Sequence, residues 1–397
     1  MSETRDIFIS GGGIAGLTLA LGLARAGLSV TLADPAPPPK DAEADGSDLR
    51  STAFLQPARA LYEDLGLWPL LHPHATPLET LAVIDCAGDP PAPRTERAFR
   101  SSDLGEPAFG WNLPNWQTRK MLTEALAETP GADLRLGTGF QAILSREREA
   151  IVTLTDGARL RARLAVAADG RDSPLREAGG VASETTRYGQ KALAFSVTHD
   201  TPHRNVSTEL YLSGGAFTVV PLPDVAGKPA SAVVWMNDGP EAARLMALDA
   251  EAFSQAATVR SCRVLGDLAL ASPRRIWPVI TRLATRLTAE RTALIAEAAH
   301  VLPPIGAQGL NTSLHDVRTL VDLVREAPDA IGEPAWLARY TKARERDIHA
   351  RARVIDLYNR VCRSDAPPVQ ALRSLGLSVV HDVAPLRKGV MRAGLGR

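Results

Sequence analysis

Three glycines within six residues, Gly11, Gly13 and Gly16, carry the first chemical signal in the chain. The segment Gly11-Gly12-Gly13-Ile14-Ala15-Gly16 fits G-x-G-x-x-G between the mostly apolar run Asp6–Ser10 and an Ala- and Leu-rich stretch from Ile14 to Ala26. At this spacing the first glycine makes a tight turn, the second lets backbone approach a pyrophosphate, and the third lets helix pack on strand. The pyrophosphate then meets the free N–H groups of the helix's first turn, where the dipole favours negative charge. Asp34 ends the next apolar run, about 20 residues on, where a carboxylate can accept a ribose hydroxyl bond. The fingerprint points to a dinucleotide without separating FAD from NAD.

Other chemistry-bearing residues are more scattered. Asp169-Gly170 follows the buried-strand pattern Leu160–Ala168, and its carboxylate suits a ligand or an Asx-turn. His72 and His74 have no third ligand near them in the chain, so they read as exposed loop histidines and no metal site is expected. Cys86, Cys262 and Cys362 are far apart and in no C-x-x-C arrangement. That usage argues against a disulfide scaffold or zinc and for a reducing compartment.

The elements that must position these groups follow from the pattern. The opening reads strand, glycine turn, helix, strand, with Gly27 stopping the helix and a proline-rich surface loop over Pro35–Ser47. Helices are expected over Ser51–Leu67 and Thr118–Glu128, a strand over Leu81–Asp85, and a hairpin turning at Asp156-Gly157. From Gly189 the pattern turns to β, with strands over Ala192–Thr198, Thr208–Leu212, Ala216–Val220 and Ala230–Met236. Pro334–Arg363 reads as a long amphipathic helix, and a helical tail runs to Arg397. The 397 residues carry 45 basic and 45 acidic side chains, which argues against a nucleic-acid partner. Neither a secretory signal nor a run long enough to cross a membrane is visible, so the cytoplasm is the expected compartment.

Leu294–Asn311, running on through a helix to Leu320, resembles the second FAD motif of the aromatic-ring hydroxylases, the single-component flavin monooxygenases. Ala167–Arg176 resembles the Asp-Gly motif of the same group. Within it, the chain is most similar to the ubiquinone-biosynthesis hydroxylases. That similarity rests on Asp48–Ala53, Leu65–Trp68, Tyr188–Ala192, Gly215–Asp224, Val234-Trp235, Arg373–Leu377 and Pro385–Lys388, and it covers nearly the whole chain. One departure stands out: the family usually has Gly-Asp before Ala-Ala-His, and here the pair is Ala296-Glu297.

The resemblance implies an α/β fold: a Rossmann-like FAD-binding domain, an inserted mixed β-sheet substrate domain and a C-terminal helical region. The expected boundaries are 1–70, 115–180 and 285–330 for the first, 71–114 and 181–284 for the second, and 331–397 for the third. It implies FAD as cofactor and NAD(P)H as co-substrate, with oxygen passing from a flavin hydroperoxide to the ring of a polyprenylated phenol. The cofactor carries the hard chemistry, so no protein nucleophile is expected. Cofactor contacts are expected from Gly11, Gly13, Ile14, Ala15, Gly16, Asp34, Arg50, Arg119, Asp169, Glu297, Gly309, Leu310 and Asn311, with Gln117 a weaker candidate. Pro303, Pro304 and Gly306 would form a wall beside the reacting flavin face. In the family the aspartate of Gly-Asp contacts the ribityl chain; Glu297 keeps the charge with one more methylene, and a shifted contact is expected. Tyr188, Phe217 and Trp235 suit either a substrate cavity or a core, while His300, His315 and Asp316 read as structural.

A polyprenyl substrate lives in the bilayer, so peripheral contact with an inner membrane, or with a quinone-biosynthesis complex, is implied. Leu372–Leu395, with Arg373, Arg387, Lys388 and Arg392 and the terminal Arg397, has the composition of an interfacial segment or of a helix packed on the protein's own core. Alternatives are a hydroxylase of a small soluble aromatic compound, a flavin oxidoreductase that does not activate oxygen, and a flavin-binding accessory subunit without activity.

Overall fold

The computed structural model describes residues 3–42, 44 and 46–396. Ile7, Phe8 and Ile9 are all fully buried, as a parallel strand covered on both faces requires. Their strand, Glu3–Ser10, pairs in parallel with Val30–Asp34 on one side and Arg159–Ala167 on the other. Ala132–Leu136 and Thr292–Leu294 extend this sheet in parallel at either end. Parallel neighbours need crossovers, and the helix Ile14–Arg25 supplies the first, packing against the helices Asn115–Ala127 and Gln308–Glu326. Segments nearly 300 residues apart are thereby brought to one sheet edge. The hairpin forms as Ala150–Leu154 against Arg159–Ala167, with Gly157 left-handed at φ +85° in its turn.

Ser51–Leu67 departs from the helix expected there. Ser51–Leu55 is a strand, antiparallel to Gly110–Pro114, which in turn pairs with Thr76–Leu78. Within that span only Gln56–Asp64 is α-helical. Pro57 decides the boundary: its ring fits a first helical turn but not a helix interior, so helix cannot extend back through it to Ser51.

The second large sheet runs, among the described residues, His300–Val301, Arg275–Ala284, Ser183–Thr198, Lys228–Asp238, Gly215–Val225, Val206–Leu212, Thr80–Ala87, Ala92–Arg100. Only its Val206–Leu212 and Thr80–Ala87 neighbours are parallel, so the sheet is mixed. Phe195, Phe217, Trp235 and Phe253 fill a core on one face, with Phe217 and Trp235 edge-to-face at 5.3 Å. Period-two alternation then turns Thr218, Val220 and Val234 to the other face, which looks into a cavity. Phe217 and Trp235 are therefore core residues. Tyr188 is also drawn into packing, its hydroxyl bonded to Thr281 Oγ1 at 2.8 Å and Asp356 Oδ1 at 2.7 Å.

Three helices close the chain: Pro334–Arg363, Pro367–Asp382 and Ala384–Leu395. The first buries Trp336, Leu337 and Tyr340 in the core around the parallel sheet and sends Ile355 and Cys362 to the second sheet. The second buries no residue and is held to the edge strand Ala92–Arg100 by polar contacts. Among the described residues no helix is long and apolar enough to cross a membrane. Cys86 and Cys262, remote in sequence, meet with their sulfurs 3.5 Å apart.

Candidate active site

A cavity of about 960 Å3 begins at two helix N-termini and ends between the last two helices. Gly13, Ile14 and Ala15 line it from one helix start, Gln308, Gly309 and Leu310 from the other. Neither helix has an acidic residue in its first turn or a side-chain cap, so both ends present N–H groups and positive dipole.

The glycines behave differently from one another. Gly11 sits at φ +108°, and a Cβ there would stand 2.3 Å from the Ala168 carbonyl oxygen; one at Gly16 would stand 2.1 Å from that of Gly11. Both are required by backbone packing. At Gly13 a Cβ would meet nothing within 4 Å, because this side of the loop opens on the cavity. A pyrophosphate fits that opening, with the helix N–H groups as donors.

Asp34 and Arg119 brace the loop from outside. Gly12 N donates to Asp34 Oδ2 at 2.6 Å, and Arg119 donates to Gly12 O, Ala36 O and Asp34 Oδ1 at 2.8, 2.8 and 3.3 Å. Arg119 also lines the cavity. Arg50 does too, gripping Asp48 through two bonds of 2.8 and 2.7 Å, with its guanidinium 5.0 Å from the Trp277 ring centre. Burial alone would raise the Asp48 carboxyl, but Arg50 and Asn115 hold it below the usual range.

The turn carrying the Ala296-Glu297 departure is pinned from below. Ala296 is left-handed at φ +54°, the region glycine occupies without cost. Its N–H donates to Asp316 Oδ2 at 3.0 Å, and His300 Nε2 meets the same oxygen at 2.7 Å. Arg344 Nε binds the other Asp316 oxygen at 2.8 Å. Burial raises the Asp316 carboxyl, yet His300 and Arg344 together hold it below its ordinary value. Glu297 lines the cavity, 3.5 Å from Arg171. Pro303, Pro304 and Gly306 follow along the same wall.

Five of the expected contact residues stand one layer back: Gly11, Gly16, Asp34, Asp169 and Asn311 are not on the cavity wall. Asp169 faces inward and accepts from Ser10, Ser173 and Leu175 N, so its side chain is spent on the turn. Asn311 ties its helix to the strand Ser51–Leu55, accepting from Leu55 N at 3.0 Å and donating to Ala53 O at 2.8 Å. Gln117, the weaker candidate, is likewise absent from the wall.

Comparison with known proteins agrees with this geometry. The FAD binding domain profile matches residues 4–354. The ubiquinone hydroxylase UbiL of Rhodospirillum rubrum is 32% identical over 398 residues, 99% of this chain and 90% of that protein. The chain belongs to the FAD-binding monooxygenase family. Another relative, the 3-demethoxyubiquinol 3-hydroxylase of Escherichia coli, is 26% identical over 422 residues, covering 100% of this chain and 99% of the relative. In fold, p-nitrophenol 4-monooxygenase PnpA of Pseudomonas putida superimposes with a TM-score of 0.81 at 17% identity, over 100% of this chain and 99% of that one. The protein is an FAD-dependent hydroxylase, with the Rossmann-like parallel sheet, the substrate sheet and the C-terminal helices of that fold.

The far half of the cavity held residues that sequence reading passed over. Leu81 and Val83 line it from one strand, Ser207, Glu209 and Tyr211 from the next, Thr218 and Val220 from a third. Leu372, Leu377, Val380, Val390 and Met391 close it from the last two helices. Asp85 lies in this wall, bound by Arg94 and by Arg373 Nε at 2.6 Å. The signal available in sequence was alternation: Ser207, Glu209 and Tyr211 interleave with the apolar Leu210 and Leu212.

Proposed function

We propose that this chain hydroxylates the aromatic ring of a polyprenylated phenol in ubiquinone biosynthesis, using NAD(P)H and molecular oxygen. The observation that carries the reading is the cavity's continuity: it leaves the flavin cradle, crosses an apolar sheet face and ends between two helices whose outward sides are also apolar. Leu375, Val379, Val383 and Leu386 are exposed there, beside Arg387 and Lys388, which suits peripheral contact with an anionic membrane surface. The names of the relatives support the same substrate class.

Bound FAD supplies oxygen activation and transfer, and the chain's residues bind, orient and exclude water. Gly13, Ile14 and Ala15 present N–H groups to the pyrophosphate, with Gly11 and Gly16 shaping the loop. Arg119 and Asp34 hold the loop, and Arg119, on the cavity wall, would meet the adenosine side. Glu297 and Arg50 flank the ribityl chain, while Asp169 shapes the turn beside them. Gly309, Leu310 and Asn311 open the second helix, whose positive end would favour negative charge on the bound flavin. Pro303, Pro304 and Gly306 form the wall at the reacting face and leave room for the ring. On this reading 1–70, 115–180 and 285–330 serve the cofactor, 71–114 and 181–284 the substrate, and 331–397 cover the cavity.

The test begins with the purified protein's spectrum, expected to show bands at about 370 and 450 nm and FAD released on denaturation. Incubation with NAD(P)H and a polyprenylphenol should then give a product heavier by one oxygen atom. Turnover confined to small phenols without a prenyl chain would favour the soluble-substrate reading. A colourless protein that takes up no added FAD would favour the accessory-subunit reading.

A further inference from the structure

The cavity wall contains four carboxyl groups among the described residues: Asp48, Asp85, Glu209 and Glu297. Three have an arginine beside them: Arg50 on Asp48, Arg94 and Arg373 on Asp85, and Arg171 on Glu297. Glu209 has none. It sits mid-sheet, in register with Val83 on one neighbouring strand and Thr218 on the other, and Thr218 is in register with Val234.

Its hydrogen bonds are one-sided. Tyr211 Oη donates to Glu209 Oε2, and Tyr358 Oη donates to Tyr211 Oη at 2.9 Å. Tyr358 comes from the helix Pro334–Arg363, so the carboxyl is held from its own strand and from the cover. Oε1 has no hydrogen-bond partner among the described residues, although the residue is only 9% exposed. Burial pushes this carboxyl above the usual range, with the Tyr211 bond opposing that only in part. Oε1 is therefore the oxygen open to a donor from a molecule in the cavity, and carboxyls perturbed in this way concentrate at functional sites.

We propose that Glu209 is the polar anchor of the substrate cavity: its Oε1 accepts the O–H of the phenol, while Tyr211 and Tyr358 fix the carboxyl's orientation. This deepens the proposed function and rests on it, because it names the group that recognises the ring's hydroxyl. An O–H donated to a carboxyl oxygen leaves more electron density on the ring carbons ortho and para to it, which an electrophilic oxygen attacks. It also fixes the ring's rotation, so that one of those carbons faces the flavin wall. A ligand without a donor would leave Oε1 unpaired, and the site would discriminate against it.

The test uses the FAD-loaded protein, titrated with 2-geranylphenol and with its methyl ether, 2-geranylanisole, and followed by the change in flavin absorbance. Wild type should bind the phenol about tenfold to a hundredfold more tightly than the ether. Glu209→Leu should bring the two affinities within about twofold by weakening the phenol alone, and Glu209→Gln, which keeps an acceptor oxygen, should retain most of the preference. Should Glu209→Leu not fold, Glu209→Met makes the same comparison with a more adaptable side chain. Equal binding of both ligands by wild type, or an undiminished preference in the Leu or Met variant, overturns the anchor and leaves the polyprenylphenol reading standing. Wild type that binds neither ligand overturns that reading, and the anchor falls with it.

Discussion

The glycine cradle and the C-terminal cover face each other across one cavity, and different forces hold them. In the cradle, ten of the twelve residues of the helix Ile14–Arg25 are buried, and backbone approaches backbone so closely that Gly11 and Gly16 admit no side chain. In the cover, the helix Pro367–Asp382 has no fully buried residue: Leu377 and Val380 pack partly buried on the second sheet's core, and Arg97–Asp382, Arg94–Gln370 and Arg373–Asp85 contacts hold the rest. Arg97–Asp382 is an exposed pair, which contributes little and is screened by salt, whereas Arg373–Asp85 is buried. The cover should therefore open locally at lower cost than the cradle. On the proposed reading, the fixed cofactor is held where the fold is stiffest, and the substrate's route lies where it is softest.

The sharpest way to break this contrast is in the cradle. Gly16→Val forces a Cβ onto the Gly11 carbonyl and should weaken FAD binding on the order of a hundredfold or prevent folding, since strained backbone costs about 1–3 kcal/mol before any clash is counted. FAD content after purification measures it, and a fully yellow variant would contradict the packing account. Next is the pin beneath the Ala296 turn. Asp316→Ala leaves buried His300 without its carboxylate and takes from Arg344 its buried partner, leaving it Asp347 and the Thr312 carbonyl, which should cost about 3–5 kcal/mol in denaturant unfolding. The same pin sets a pH dependence. Because the folded Asp316 carboxyl is held below its ordinary 3.8, its contribution is present above about pH 4 and lost as pH falls through the folded value. The stability difference between wild type and Asp316→Ala should narrow over that acid range, and a constant difference would assign the pin no electrostatic part.

The cover should respond in another observable. Replacing the outward Leu375, Val379 and Leu386 together by serine should change stability by no more than about 0.5 kcal/mol per site. Binding to anionic vesicles should fall by about tenfold or more, because roughly 25 cal/mol is lost per Å2 of apolar surface that no longer meets lipid. Unaltered flotation of the triple variant would mean that this face does not touch the membrane. The smallest effect is expected at Ala296→Gly. Relief of a left-handed alanine, partly offset by the greater freedom of glycine in the unfolded chain, should stabilise by about 0.5–1 kcal/mol. A destabilised variant would show that the alanine methyl is packed rather than tolerated.

The cradle was legible because local rules and global fold agree there. G-x-G-x-x-G, Asp34 and the helix signals lie within about 30 residues of one another, and the loop they shape opens on the cavity at Gly13. Ser51–Leu55 was not legible, since its strand exists only through pairing with Gly110–Pro114, and pairing partners leave no trace in local periodicity. Asp169 was read foremost as a cofactor contact, with an Asx-turn the lesser reading; its three protein donors, from segments up to 159 positions away, are invisible in local spacing. The Cys86–Cys262 contact lay beyond reach for the same reason: 176 positions separate two residues that share a sulfur contact.

By itself the sequence determined a dinucleotide loop and the strand–helix order around it, which depend on glycine placement and hydrophobic period written residue by residue. The family, the cofactor and the layered α/β architecture came from its resemblance to the motifs of the aromatic-ring hydroxylases. Tertiary structure alone decided which side of each substrate strand faces the cavity, that Asp316 is shared between His300, Arg344 and the Ala296 turn, and that Glu209 is the wall's one carboxyl without an arginine among the described residues. A charge's partner is fixed by distances across the fold, and no spacing along the chain encodes it.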